Sequence, residues 1–126
     1  MELETETIEG RAIISSYTSE GVVVGGEQFK ESFILTPHGK PTPWDIDQFS
    51  DLSDSILEAL CAMDCEVLLV GTGISQEFPS PALNRVLADH GRSAEFMGSR
   101  SACSTFNVLA LDDRSVTAAI ILPLLR

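Results

Sequence analysis

The chain is short of positive charge, sulfur, aromatic rings and long apolar runs, and each shortage removes a class of function. Only 8 Lys and Arg stand against 19 Asp and Glu, for a formal charge of −11. Such a surface repels a phosphate backbone, and no basic stripe reverses that repulsion, so nucleic acid is not an expected partner. The three cysteines, Cys61, Cys65 and Cys103, are an odd number without an export signal, which reads as free thiols. Cys61 and Cys65 alone are too few ligands for a structural zinc site, so no metal is expected. The longest apolar stretch, residues 116–125, is interrupted by Thr117 and Pro123. It is about half the length of a membrane-spanning helix, so no membrane span is expected. The N-terminus, Met1-Glu2-Leu3-Glu4-Thr5-Glu6, is acidic, unlike a signal or transit peptide, and a soluble cytoplasmic chain is the expectation.

Catalytic signatures are lacking too. Gly71-Thr72-Gly73 follows an apolar run as a dinucleotide-binding turn would, but position 76 is Gln and prolines delay the next helix. The fingerprint therefore fails, and no cofactor is expected. No Ser-His-Asp or paired-carboxylate arrangement follows from spacing.

What is present is a normal globular composition, 44% hydrophobic and 21% charged, in 126 residues. That length suits one domain over residues 1–126 with an aliphatic core. Residues 1–7 read as a frayed end or a short edge segment. From Ile8 to Leu35, β-branched and aromatic clusters alternate with turn signals such as Gly25-Gly26, which predicts short antiparallel strands. Residues 36–43, with three prolines and a glycine, read as a loop.

Ser53 is a good cap for a helix running to about Asp64, with Ile56, Leu57, Leu60 and Cys61 on one face. Residues 66–71 read as a strand buried on both faces. A loop over 72–80 leads to a helix starting at Pro81, capped by Ser80 and ended by Gly91. Ser93–Met97 reads as a second buried strand, Arg100 to about Leu111 as a helix, and Val116–Leu122 as a last buried strand. Alternating helix and strand predicts a sheet of βαβ type, with the carboxyl ends of the first two of these strands on one edge.

Candidate chemistry gathers at two small-residue turns. Gly71-Thr72-Gly73 and Gly98-Ser99-Arg100 would line one crevice if their strands are neighbours. A helix N-terminus favours an anion, and Arg100 adds positive charge. The plainer reading is that Ser99 caps the helix and the glycines allow close approach of backbone. Asn107 and Thr105 are polar within an apolar helical pattern. Each either ties the helix to a neighbouring loop or orients a ligand. Cys103 reads as a buried, inert thiol. Trp44, the only Trp, is either a plug over the core or a contact residue at the loop exit.

Several of these pieces occur together as a longer pattern. It runs from Trp44 after prolines through Leu68-Leu69-Val70-Gly71-Thr72-Gly73 and Phe78-Pro79 to Glu95-Phe96-Met97 and Ser99. It continues with Ala102-Cys103, Thr105-Phe106-Asn107-Val108-Leu109, Arg114, Val116 and Ala118-Ala119. In this combination the chain resembles the Mth938-like family, also called DUF498, over residues from about 8 to 122. It departs where the family often has Thr at position 99 and Tyr at 106. The resemblance implies a three-layer α/β fold, a mixed central sheet flanked by helices, and an additional N-terminal antiparallel β portion. It implies no established enzymatic activity, and its eukaryotic relatives include a mitochondrial assembly factor for respiratory complex I that works by protein contact. A protein-interaction or assembly-factor module is thus the expected function, with a protein partner. The alternative is a small-ligand or anion-binding domain using the crevice between the two turns.

Overall fold

A computed structural model describes Thr7, Ile8 and residues 10–126. The expectation for residues 1–7 lies outside the described residues except at Thr7, which pairs with Ala12. Ten strands and three α-helices follow one another there. They are β1 (Thr7–Ile8), β2 (Arg11–Ala12), β3 (Ile14–Thr18), β4 (Gly21–Val24), β5 (Glu27–Phe29), β6 (Phe33–Leu35), β7 (Thr42–Pro43), α1 (Asp54–Cys61), β8 (Val67–Gly71), α2 (Pro81–Asp89), β9 (Glu95–Met97), α3 (Ser99–Leu111) and β10 (Val116–Ile120). The central sheet has the order β7-β6-β10-β8-β9. In it β10, β8 and β9 run parallel, while β6 is antiparallel to both β10 and β7. β3, β4 and β5 form a separate antiparallel sheet, and β1 pairs with β2.

The alternation of side chains along each central strand sorts the apolar residues into two layers. Leu69, Val116, Ala118, Ile120, Phe33 and Leu35 face one way. There they meet Ala102, Cys103, Phe106 and Ala110 of α3 and Ile14, Val22 and Val24 of the small sheet. Leu68, Val70, Ala119 and Ile121 face the other way, onto Leu57 and Leu60 of α1, Leu83, Val86 and Leu87 of α2, and Trp44. The result is three layers: α1 and α2, the mixed sheet, then α3 with the small sheet. This is the mixed-sheet α/β architecture that the resemblance implies.

The helix starts follow capping chemistry. Ser53 Oγ accepts from Ile56 N (3.3 Å), and Ser80 Oγ accepts from Leu83 N (3.2 Å) with Pro81 in the first turn. Before α1 stands a single 3₁₀ turn over Phe49–Asp51, in which Asp51 Oδ2 accepts from Asp47 N and Gln48 N.

Several boundaries differ from the sequence expectation, among them the ends of α1, at Cys61 and not near Asp64, and of β10, at Ile120 and not Leu122. Residues 42–43 of the expected loop pair with β6 as an edge strand, where Pro43 needs no outward partner for a missing N–H. β9 is three residues long and half-exposed, because it is an edge strand and not a central one. The last helix begins at Ser99, with Gly98 as its N-cap and no side-chain capping bond.

Candidate functional site

The parallel pairing of β8 with β9 sets Gly71 beside Met97, so the two small-residue turns do come together at one edge of the sheet. The space between them is filled by one side chain. Ser99 Oγ donates to the Ile121 carbonyl (2.6 Å) and accepts from Gly73 N (2.8 Å), while Ser99 N donates to the Gly73 carbonyl (2.8 Å). Ser99 is fully buried, and instead of capping its own helix it fastens three segments. Gly71 permits this approach: a Cβ there would lie 2.7 Å from Ser99 Oγ and 3.0 Å from its Cα. Gly73 turns at φ 105°, a conformation that L side chains rarely adopt.

Thr72 organises the loop that follows. Its N donates to the Met97 carbonyl (2.8 Å). Its buried hydroxyl donates to the Ser75 carbonyl (2.6 Å), with the Met97 carbonyl at 3.2 Å, and accepts from Glu77 N (3.1 Å). Gln76 Nε2 donates to the Phe96 carbonyl of edge strand β9 (3.1 Å). The loop 72–80 is thus pinned at residues 72, 73, 75, 76 and 77, and again at the Ser80 cap.

Two large apolar side chains stand out from this pinned loop. Phe78 is 73% exposed and Ile74 45%. Beside them lies an open depression of about 220 Å³, lined by Asp47, Gln48, Thr72, Ile74, Glu77 and Pro123 among others. Its charged lining residues, Asp47 and Glu77, are both acidic, which is unfavourable to an anion.

The other residues singled out from the sequence lie apart from this loop or play other parts. Arg100 reaches towards the small sheet, where its Nε donates to Tyr17 Oη (2.9 Å) and its guanidinium carbon lies 5.7 Å from the Tyr17 ring centre. Asn107 pairs with the backbone of Ile14: Nδ2 donates to the Ile14 carbonyl (2.8 Å) and Oδ1 accepts from Ile14 N (2.9 Å). It grips β3 next to the point where the β3–β4 register shifts. Thr105 Oγ1 donates to Met97 Sδ (3.6 Å). Trp44 is 8% exposed and packs in the α1–α2 core, by a hollow of about 290 Å³ lined by Ile34, Ile56 and Leu60. Cys103 is buried, and desolvation pushes its thiol pKa up to about 12.

Sequence reasoning assigned no role to Ile74 and Phe78. One signal was present: a Phe set between Glu77 and Pro79 has no strand or helix to bury it. It also passed over Ser32, whose buried hydroxyl accepts from Leu122 N (3.1 Å) and whose carbonyl accepts from Trp44 N (3.0 Å). Nothing local in the sequence announces that pairing across ninety residues.

A mixed sheet between two helical layers, with a pinned loop that leaves Ile74 and Phe78 exposed at one edge, defines an α/β scaffold. Residues 14–121 match the model of a family described as proteins of unknown function, DUF498/DUF598, and the chain belongs to that family. A Bordetella pertussis protein solved in solution as a Mth938-like domain shares the fold, with a TM-score of 0.75 at 24% identity over 96% of this chain and 92% of that one. The "13 kDa major membrane protein" of Francisella tularensis subsp. holarctica (strain LVS) is 29% identical over 96% of this chain and 99% of its own length. The NADH dehydrogenase (ubiquinone) 1 alpha subcomplex assembly factor 3 of Bos taurus is 30% identical over 87% of this chain, and the match spans only 60% of that protein. No helix among the described residues is long and apolar enough to cross a membrane.

Proposed function

We propose that this chain is a non-enzymatic protein-interaction module of the assembly-factor kind, and that it docks through the 72–80 loop. The observation that carries the reading is Phe78, 73% exposed on a backbone already held by Thr72, Gln76 and Ser80. An aromatic side chain on a pre-ordered loop loses little freedom when it enters a partner's pocket, so most of its burial energy appears as affinity. The assembly-factor name of the Bos taurus relative supports a protein as the occupant. Asp47 and Glu77 beside the loop, within a chain of charge −11, favour an apolar recess rimmed by Lys and Arg.

The alternative of a small ligand or anion between the Gly71–Gly73 and Gly98–Arg100 turns has less support. Ser99 fills that gap, and Arg100 is engaged with Tyr17.

The test compares the wild-type chain with an Ile74→Ser/Phe78→Ser double variant. Cross-linked capture from the native host should return one recurrent protein, and the purified pair should lose at least about tenfold in affinity with the variant, since burying one Phe is worth about 1.5–3 kcal/mol. Unchanged circular dichroism would show that the variant still folds. A partner that binds both forms equally would refute the docking loop. A chain that returns no protein but is stabilised against heat by a small anion would favour the alternative.

A further inference from the structure

Ile74 and Phe78 are not the only large apolar side chains left outside. On α3, Val108 is 66% exposed and Leu111 44%. The helix buries Ser99, Ala102, Cys103, Phe106 and Ala110. At about 100° per residue, its opposite side is Ser101, Ser104, Val108 and Leu111, and all four are exposed. Their spacing of three, four and three residues is that of a seam between two helices. The seam is graded, small and polar in its first half, bulky and apolar in its second. An antiparallel copy of the same helix fits it. Ser101 then faces Leu111 of the second copy, and Ser104 faces its Val108. Each bulky side chain lies over a small one, so the patch complements itself, as a two-fold interface requires. A parallel pairing would stack small on small at one end.

The charges at the two ends of α3 favour the same arrangement. The helix begins with exposed Arg100 and is followed by exposed Asp112 and Asp113, with no acidic residue in its first turn and no basic one in its last. That is the reverse of what a helix dipole favours. Tyr17 engages Arg100, and Arg11 pairs with Asp113, while Arg114 just beyond is paired with Glu66. An antiparallel neighbour brings its acidic end to the Arg100 end of this helix and its own Arg100 to the Asp112 end, which offsets both misplacements. We propose that a second copy of this chain covers the outer face of α3, in a two-fold dimer of antiparallel α3 helices. A face of 13 residues is about 20 Å long and roughly 10 Å wide, short of the roughly 800 Å² per partner of a standard interface. The dimer is therefore weak, with a Kd on the order of 10 µM. Its face shares no residue with the 72–80 loop.

Sedimentation equilibrium of the whole chain tests this, from about 1 to 500 µM and at roughly 0.15 M salt to screen the charge of −11. The average mass should climb from 13.6 kDa towards twice that value. A mass fixed at 13.6 kDa throughout would overturn the proposal and leave the stripe to a different partner. Val108→Lys/Leu111→Lys replaces only exposed side chains and lowers the net negative charge, so general repulsion falls. That variant, with unchanged circular dichroism, should nevertheless remain a monomer. A dimer as strong as the wild type's would overturn the assignment to α3. Ile74→Ser/Phe78→Ser should dimerise as the wild type does, and its failure would move the contact to the 72–80 loop. Disulfide trapping in a Cys61→Ser/Cys65→Ser background reads the orientation. Chains with Ser101→Cys and chains with Leu111→Cys should cross-link when mixed. Neither should link to itself, since the antiparallel register sets like positions about 15 Å apart along the helix axis. Ready self-linking of either chain would refute that register.

Discussion

Ser99 and Glu66 show how much a single polar group holds in this molecule. The Ser99 hydroxyl is the donor for Ile121 and the acceptor for Gly73, and it is fully buried. Ser99→Ala leaves an amide and a carbonyl without a partner in a place water does not reach, at a cost of about 1–3 kcal/mol for each. Chemical denaturation should therefore show a loss on the order of 3 kcal/mol, and a loss under 1 kcal/mol would mean that the latch is dispensable. Threonine, which the family often carries here, keeps the hydroxyl. The sequence marked Ser99 as a notable residue but suggested a cap, because an Ser beside a helix start caps in most settings. Only the neighbouring strand ends offered it better partners. Glu66 is exposed, yet its carboxyl is held below the usual glutamate range. The Ser115 backbone N–H is the first cause, and the hydrogen bond and charge of Arg114 follow. A folded-state pKa below the unfolded one gives stability that is present above the unfolded value and lost as pH falls through the folded value. A carbon-13 titration should find Glu66 ionising below the usual glutamate range, and Glu66→Gln should flatten the acid side of the stability curve.

At the scale of elements, α3 is the piece that joins the layers. Its Ala102, Cys103, Phe106 and Ala110 pack against the central sheet, and Asn107 reaches sideways to the small one. A residue pairing both an N–H and a C=O of Ile14 acts as an extra rung between helix and strand. Asn107→Leu keeps the bulk and deletes both bonds, for a cost of about 2 kcal/mol. The effect should be local: hydrogen exchange in β3 and β4 should speed up more than in β8 and β10. Equal loss of protection across both sheets would show that Asn107 holds the whole core and not this one junction. The sequence reading left two roles open for Asn107, and the structure gives it the tying one, to a strand and not to a loop. That partner is ninety-three positions away, so no local pattern names it. The strand over 66–71 was legible because residues buried on both faces read as an unbroken apolar run. The standing of β9 as an edge was not, because edge or centre depends on strand order, and strand order is a tertiary fact.

For the whole molecule, charge is the dominant long-range property. At −11 the folded chain repels itself, and added salt should screen that repulsion. Raising sodium chloride from 0.02 to 0.5 M is expected to lift the melting temperature by a few degrees, on the order of 1 kcal/mol of relief. The same salt should slow association with a basic partner, since steering and self-repulsion share one origin. A melting temperature that falls with salt would mean that specific ion pairs outweigh the net charge. Arg11 with Asp113 and Arg114 with Glu66 are among the described pairs; the second is exposed on both sides and worth little, whereas the Arg11 side chain is largely buried.

The sequence by itself determined the α/β class, the capped starts of α1 and α2, the two-faced burial of the central strands and the family. These follow from periodicity, capping residues and composition, which act over a few neighbours. Only the tertiary structure decided that the two small-residue turns meet and are closed by Ser99, and that Phe78 is left outside. Each of those depends on which strand ends lie side by side, and that is settled by packing both faces of one sheet at once.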